Sequence, residues 1–218
     1  MSVTTDIIDA KVFLGHPKNQ SNPKTRDYWM GIANGQVIIN PEIIQEQLKA
    51  AKEVFSNAKK ANKEVLVICE KELYKDEIET LADAAWVHYL NHKVPSGVLT
   101  NFDTLLSRIR SLQEIRSFVA SESFNDLTKK EQQMKLRALR KIEKVYKGVV
   151  NLRKRPDLVI IVDGQYMHKF IDEVQKMNVN TIVLASSNFD TWLDQPLILC
   201  NTNSHSSIDY VLKYILTK

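Results

Sequence analysis

Glycine and proline are scarce, six of each in 218 residues, and that scarcity excludes more than it permits. No G-x-G-x-x-G and no G-x-x-x-x-G-K-[ST] follows any strand-like run, so the backbone cradles that hold a dinucleotide or a nucleoside triphosphate are missing. The two cysteines, Cys69 and Cys200, each sit inside an apolar run (VLVICE and PLILCN). That placement predicts buried, reduced thiols and excludes a disulfide-built scaffold. No apolar run reaches the roughly 18 residues that a membrane-crossing helix needs, so no membrane association is expected. The start, MSVTTDIIDA, has neither a basic segment ahead of an apolar stretch nor an Arg-rich presequence, and no cleavable address is expected there. The five histidines, His16, His88, His92, His168 and His205, are scattered. His88 and His92 stand four apart, but in a strand-then-loop context where that spacing has no metal-ligand meaning. No metal, cofactor, small-molecule substrate or catalytic residue is therefore expected.

What the chain does have is positive charge in one place. The formal net charge is +4. Residues 1–100 carry 12 Lys/Arg against 13 Asp/Glu, residues 101–155 carry 14 against 6, and residues 156–218 carry 4 against 7. The whole excess lies in one quarter of the chain, a pattern that points to a polyanionic partner.

Four β-branched apolar runs read as buried strands: Gln36–Asn40, Glu64–Glu70, Asp157–Asp163 and Asn180–Ser186. Trp86–Leu90 and Pro196–Cys200 are shorter candidates. Their near-continuous hydrophobicity predicts a parallel sheet covered on both faces. Helical spacing recurs behind Pro41 and over Lys75–Ala85, Gln165–Met177 and Ser206–Leu216. The alternation predicts an α/β, doubly wound, mainly parallel sheet. From Asn101 to about Val150 there is no strand candidate. Two helices joined by SESFND, with apolar stripes Leu105–Ile109–Leu112–Ile115–Val119 and Leu139–Ile142–Val145–Tyr146–Val149, predict an inserted antiparallel αα-hairpin. The expected organisation is a body of residues 1–100 and 151–218 with a basic hairpin at 101–150. In LTKKE, Thr128 and Glu131 have capping-box spacing and start the second hairpin helix. Asp163, ending its strand without a nucleophile or base beside it, is expected to cap the following helix.

The expected phosphate contacts are Lys18, Lys24 and Arg26 in the polar loop Gly15–Trp29, and Lys93. The hairpin adds Arg108, Arg110, Lys129, Lys130, Lys135, Arg137 and Lys141, and its base adds Arg153, Lys154 and Arg155. Such contacts supply most nucleic-acid affinity. Without an aromatic-glycine motif for reading single strands, recognition of folded RNA by shape and backbone is the expectation. An α/β enzyme or ligand binder using the hairpin as a partner contact stays open.

Several motifs, in order, resemble one family. Gly15-His16, Asn22-Pro23-Lys24 with Tyr28, then Gly35 and VIIN match its opening block. Leu99-Thr100-Asn101-Phe102 with Thr104 match its centre, and LTKKE its usual wording. Gly148, Pro156-Asp157, Asp163, and Cys200-Asn201 with Ser207-Ile208 complete the series. The chain thus resembles the second protein of the small ribosomal subunit in its bacterial and organellar form, over about residues 11–210. It departs at Lys93-Val94 and Ser96-Gly97, where the family has an Arg-Trp pair and a double glycine. It departs again at Thr202-Asn203, where acidic residues are usual. The resemblance implies a flavodoxin-like body with the hairpin inserted, placed on the solvent side between head and body. It implies contacts with small-subunit rRNA and neighbouring small-subunit proteins, and no catalysis; in the bacterial pattern the family also helps dock the large, flexible first protein. The abbreviated hairpin, eroded motifs and missing presequence suggest a mitochondrial ribosome and an organelle-encoded chain, with a bacterial cytoplasm as the alternative.

Overall fold

The computed structural model describes residues 3–190 and 196–217. A short helix, α1 (Val3–Asp9), precedes three strands, β1 (Leu14–Pro17), β2 (Trp29–Ala33) and β3 (Gln36–Ile39). These form a separate antiparallel sheet in the order β1-β3-β2. Asn34 and Gly35 join β2 to β3 with both φ values positive, 50° and 76°. That turn matches the right-handed twist of a hairpin and needs residues that tolerate the left-handed region. The sequence places Gln36–Asn40 in the parallel sheet and reads Gly15–Trp29 as loop. Both expectations are corrected: β3 pairs antiparallel with both neighbours, and the loop contains β1 and leads into β2. At Asn40 the side chain accepts from the Glu42 amide at 3.0 Å. With Pro41 at the first helical position, this starts α2 (Pro41–Lys60).

The second sheet contains β4 (Val65–Ile68), β5 (His88–Leu90), β6 (Leu158–Val162), β7 (Asn180–Ala185) and β8 (Leu197–Leu199). Every pairing is parallel and the order is β5-β4-β6-β7-β8. Taken in sequence this is the 2-1-3-4-5 order of flavodoxin-like folds, so the expected α/β class holds. Successive side chains of β4 and β6 point to opposite faces and all are buried, which explains their unbroken hydrophobicity. On one face Val65, Val67, Ile160 and Ile182 pack with α2 and α7 (His205–Leu216), and with α3 (Lys75–Ala85). On the other, Leu66, Ile68, Val159 and Ile161 pack under α6 (His168–Lys176) and α4 (Phe102–Val119). Each fully buried aliphatic side chain contributes about 1.5–3 kcal/mol, so these two layers dominate the stability of the body. Cys69 and Cys200 are buried and free, as expected. Burial pushes the Cys69 thiol up to about 12 and the Cys200 thiol up as well.

Between β5 and β6 lies the helical pair, α4 and α5 (Lys129–Tyr146). Lys135 Nζ stands 5.4 Å from the Phe118 ring near the tip, and Tyr146 lines a cleft with Leu105 and Arg108 near the root. The helices therefore run antiparallel. Phe102, Leu105, Ile109 and Leu112 of α4 are buried, whereas α5 has no buried residue. Burial thus fades from root to tip, and α5 is the outer layer. Its root is pinned by Gly148, where a Cβ would collide with the Tyr89 carbonyl oxygen, so only glycine permits this approach.

Candidate nucleic-acid interface

The outer helix is built from its cap inward. The Thr128 amide donates to Glu131 Oε2 at 3.0 Å and the Glu131 amide donates to Thr128 Oγ1 at 3.4 Å. This reciprocal pair satisfies two free backbone donors and starts α5 where LTKKE predicts. The Thr128 hydroxyl, which donates to Glu131 Oε2 at 2.7 Å, and after it the Thr128 amide hold the Glu131 carboxyl below its usual range. The second carboxylate of the helix, Glu143, accepts from Arg116 Nε of α4 at 2.8 Å. Both acids of α5 are therefore engaged within the protein. Lys147, just past α5, pairs with Glu79 of α3 and ties the root to the body.

On the helix, Lys130, Arg137, Lys141 and Lys144 recur at spacings of seven, four and three. They share the face opposite half-buried Leu136, Leu139 and Ile142, and all four are exposed. From Lys130 to Lys144 the stripe runs about 21 Å at the helical rise. Arg140 and Lys129 flank it. Lys135 lies on the other flank, over the Phe118 ring. Sequence reasoning selects Lys129, Lys130, Arg137 and Lys141 here; Lys144 completes the face at its root end and, with Arg140, lines a cleft with Asp76 and Glu79 of α3. A helical wheel carries that signal.

The remaining expected residues are dispersed. Lys18 and Arg26 line a cleft of about 420 Å³ with Trp29 and Met30, beside β2. Lys24 forms an ion pair with Asp190 at 2.9 Å. Lys93 borders a cleft of about 310 Å³ with Tyr166 and Lys169. Arg108 lies toward the Gly97 turn and Tyr146, while Arg110, two residues on, points to another side of α4. Arg153, Lys154 and Arg155 precede β6, with Lys154 bonded to Asp157 at 3.0 Å. The first loop bonds to Ser187, beyond β7, through Asn22 N at 2.8 Å. It therefore sits at the carboxyl ends of the parallel strands, and Arg153–Arg155 at the amino ends. No single flat surface unites the two groups.

Ligands of doubly wound sheets bind where the strand order reverses, outside the carboxyl ends. Here that crevice, between β4 and β6, is occupied by the protein's own groups. Lys71 forms an ion pair with Asp163 and donates to the Thr202 carbonyl at 3.0 Å and to Asn203 Oδ1 at 3.1 Å. Tyr74 donates to the same carbonyl at 2.6 Å. His16 meets Ser186 Oγ at 2.8 Å through Nδ1 and Asn203 at 3.2 Å through Nε2. Burial lowers the His16 pKa, with Asp163 raising it and Lys71 lowering it. Asp163 does not cap α6, whose N-cap position is Met167 without a side-chain cap bond; it accepts from the Tyr166 amide in the preceding turn at 3.2 Å, and its ion pair with Lys71 has no sequence signal. Among the described residues, the charged and polar groups of this crevice are bonded to one another.

Comparison with known proteins decides between a ligand-binding α/β protein and a ribosomal one. Residues 7–217 match the profile of Ribosomal protein S2. The chain belongs to the ribosomal protein S2 family. It is 28% identical over 217 residues to Small ribosomal subunit protein uS2 of Francisella philomiragia, covering 98% of this chain and 89% of that protein. It is 31% identical over 200 residues to the protein of the same name from Coprothermobacter proteolyticus, covering 90% of this chain and 75% of that one. A Francisella tularensis subsp. novicida relative is 27% identical over the same span as the first. The match covers the antiparallel sheet, the parallel sheet and the helical pair of this S2 family member alike.

Proposed function

We propose that this S2 family member is a structural constituent of the small ribosomal subunit that binds small-subunit rRNA and catalyses no reaction. The observation that carries the reading is the outer face of α5: Lys130, Arg137, Lys141 and Lys144 are exposed together while both carboxylates of the helix are engaged elsewhere. Like charges at helical spacing repel one another, and phosphates relieve that repulsion. Lys18, Arg26, Lys93, Arg108, Arg153 and Arg155 serve as further phosphate contacts on other sides of the body, so RNA wraps the protein rather than meeting one plane. The resemblance supports a seat on the solvent side between head and body, against neighbouring small-subunit proteins. Departures at Lys93-Val94 and Thr202-Asn203 support an organelle ribosome, although the relatives named above are bacterial. Sedimentation tests the reading. The triple variant Lys130→Glu, Arg137→Glu, Lys141→Glu keeps its melting temperature but loses most of its occupancy in purified small subunits. Full incorporation of that variant contradicts the α5 contact.

A further inference from the structure

Away from the helical pair, the amino ends of β5, β4 and β6 carry a second arrangement that neither the motifs nor the family match assigns. Trp86 stands two residues before β5, Lys63 two residues before β4, and Arg153–Arg155 just before β6. These strands are neighbours in the order β5-β4-β6, with Leu66 level with His88 and Val65 level with Leu158. Adjacent strands lie about 4.8 Å apart, so the three approaches emerge side by side. Lys59, in the last turn of α2, joins them by donating to the Trp86 carbonyl at 2.9 Å.

Trp86 has no structural reason to be tryptophan. Its side chain is 89% exposed, so it adds nothing to the core. Its backbone is left-handed, at φ 54° and ψ 52°, a conformation that asparagine or glycine adopts at less cost. The surroundings are cationic. Lys60, Lys63, Arg153 and Arg155 are exposed. The carboxylates between them are engaged: Glu64 with His88 at 2.9 Å, and Asp157 with the Glu64 amide at 2.9 Å and Lys154 at 3.0 Å. Asp83, in the last turn of α3, is the other acid at this edge. Lysines at the end of α2 do favour the helix dipole, but that effect leaves the indole unexplained.

We propose that this edge is a stacking platform for an unpaired nucleotide of RNA. The Trp86 indole takes the base face, and Lys60, Lys63, Arg153 and Arg155 hold the flanking phosphates. An exposed aromatic at a sheet edge with cations beside the neighbouring strands is the chemistry of sequence-tolerant single-strand binding. Tryptophan and arginine are enriched at protein interfaces too, but lysine is depleted there, and four exposed cations beside engaged carboxylates favour a polyanion. The platform rests on reading the chain as an rRNA-binding protein, and it adds single-strand recognition to the phosphate contacts of α5.

Intrinsic fluorescence of the full chain, titrated with a short single-stranded oligoadenylate, tests it. The expected result is quenching that disappears in Trp86→Leu, with affinity falling about tenfold, and that returns in large part in Trp86→Tyr by the affinity readout. The exposed position makes these variants safe for folding, and Trp86→Asn serves as a control that also relieves the backbone. Equal affinity of Trp86→Leu and the parent chain, or no quenching in the parent, overturns the platform. Occupancy of the α5 triple variant in small subunits is measured separately. Trp86-dependent quenching with full occupancy of that variant rejects the α5 contact and keeps the platform. Lost occupancy without quenching does the reverse.

Discussion

Glu173 of α6 shows how a single carboxylate organises the approach to the helical pair. One oxygen accepts from the Leu99 amide at 2.6 Å and the Thr100 amide at 2.8 Å, and the other from the Gly97 amide at 3.1 Å. The LTNF turn is thereby fastened to α6 before α4 begins. Nothing in the local sequence reveals this, because the partners lie 73 to 76 residues apart. Replacing Glu173 by alanine leaves these amides without their acceptor and costs about 1–3 kcal/mol, read as a lower urea midpoint. His16 supplies the pH dependence. Its folded pKa lies below the ordinary histidine value of about 6.5, chiefly through burial. Below that value the unfolded chain takes up the proton first, so stability is full above 6.5 and declines as pH falls toward the folded pKa. Lys71, Asp163, Ser186 and Asn203 surround the ring. His92 is also lowered, by burial first, and acts in the same direction. Urea midpoints across that window are expected to fall less steeply for His16→Asn than for the parent. Identical slopes remove His16 as a source.

At the scale of elements, those whose hydrophobic pattern reflects two-sided burial were legible. β4, β6 and β7 read as strands because both of their faces are covered, and α2 and α7 read as helices because one face is. β1 and β2 were hidden. LGHP and WMGIA contain Gly or Pro, are four and five residues long, and β2 has no buried residue. Their pairing comes from the Asn34-Gly35 turn and from contacts with β3 rather than from a pattern of their own. The strand QVII was recognisable, but its sheet was not: its alternating burial is invisible in a sequence whose last three residues are all apolar. α5 was legible from its cap and its charge, and the proposed phosphate contact rests on the same two features. A phosphate-binding stripe makes RNA affinity salt-dependent. Log affinity plotted against log salt is expected to lose roughly 2–3 units of slope when Lys130, Arg137 and Lys141 are reversed. An unchanged slope means that those side chains touch no phosphate.

Across the whole molecule, the division of labour is electrostatic. The α/β body buries its apolar layers, closes the crevice where a ligand of this fold binds, and balances its charge. The interval 101–155 holds the cationic excess and presents it on α5 and beside the amino ends of the strands. The charge asymmetry was readable from composition alone. Its spatial split was not, because which end of a sheet a loop occupies depends on strand direction and order. That split explains why Lys18 and Arg155, both reasonable phosphate contacts, cannot lie on one plane of RNA. The most direct measurement of the central claim is the structure of the purified small subunit at side-chain resolution. The account predicts that Lys130, Arg137, Lys141 and Lys144 lie against the ribose-phosphate backbone of rRNA. Finding those four side chains in open solvent, with the subunit otherwise complete, would contradict it.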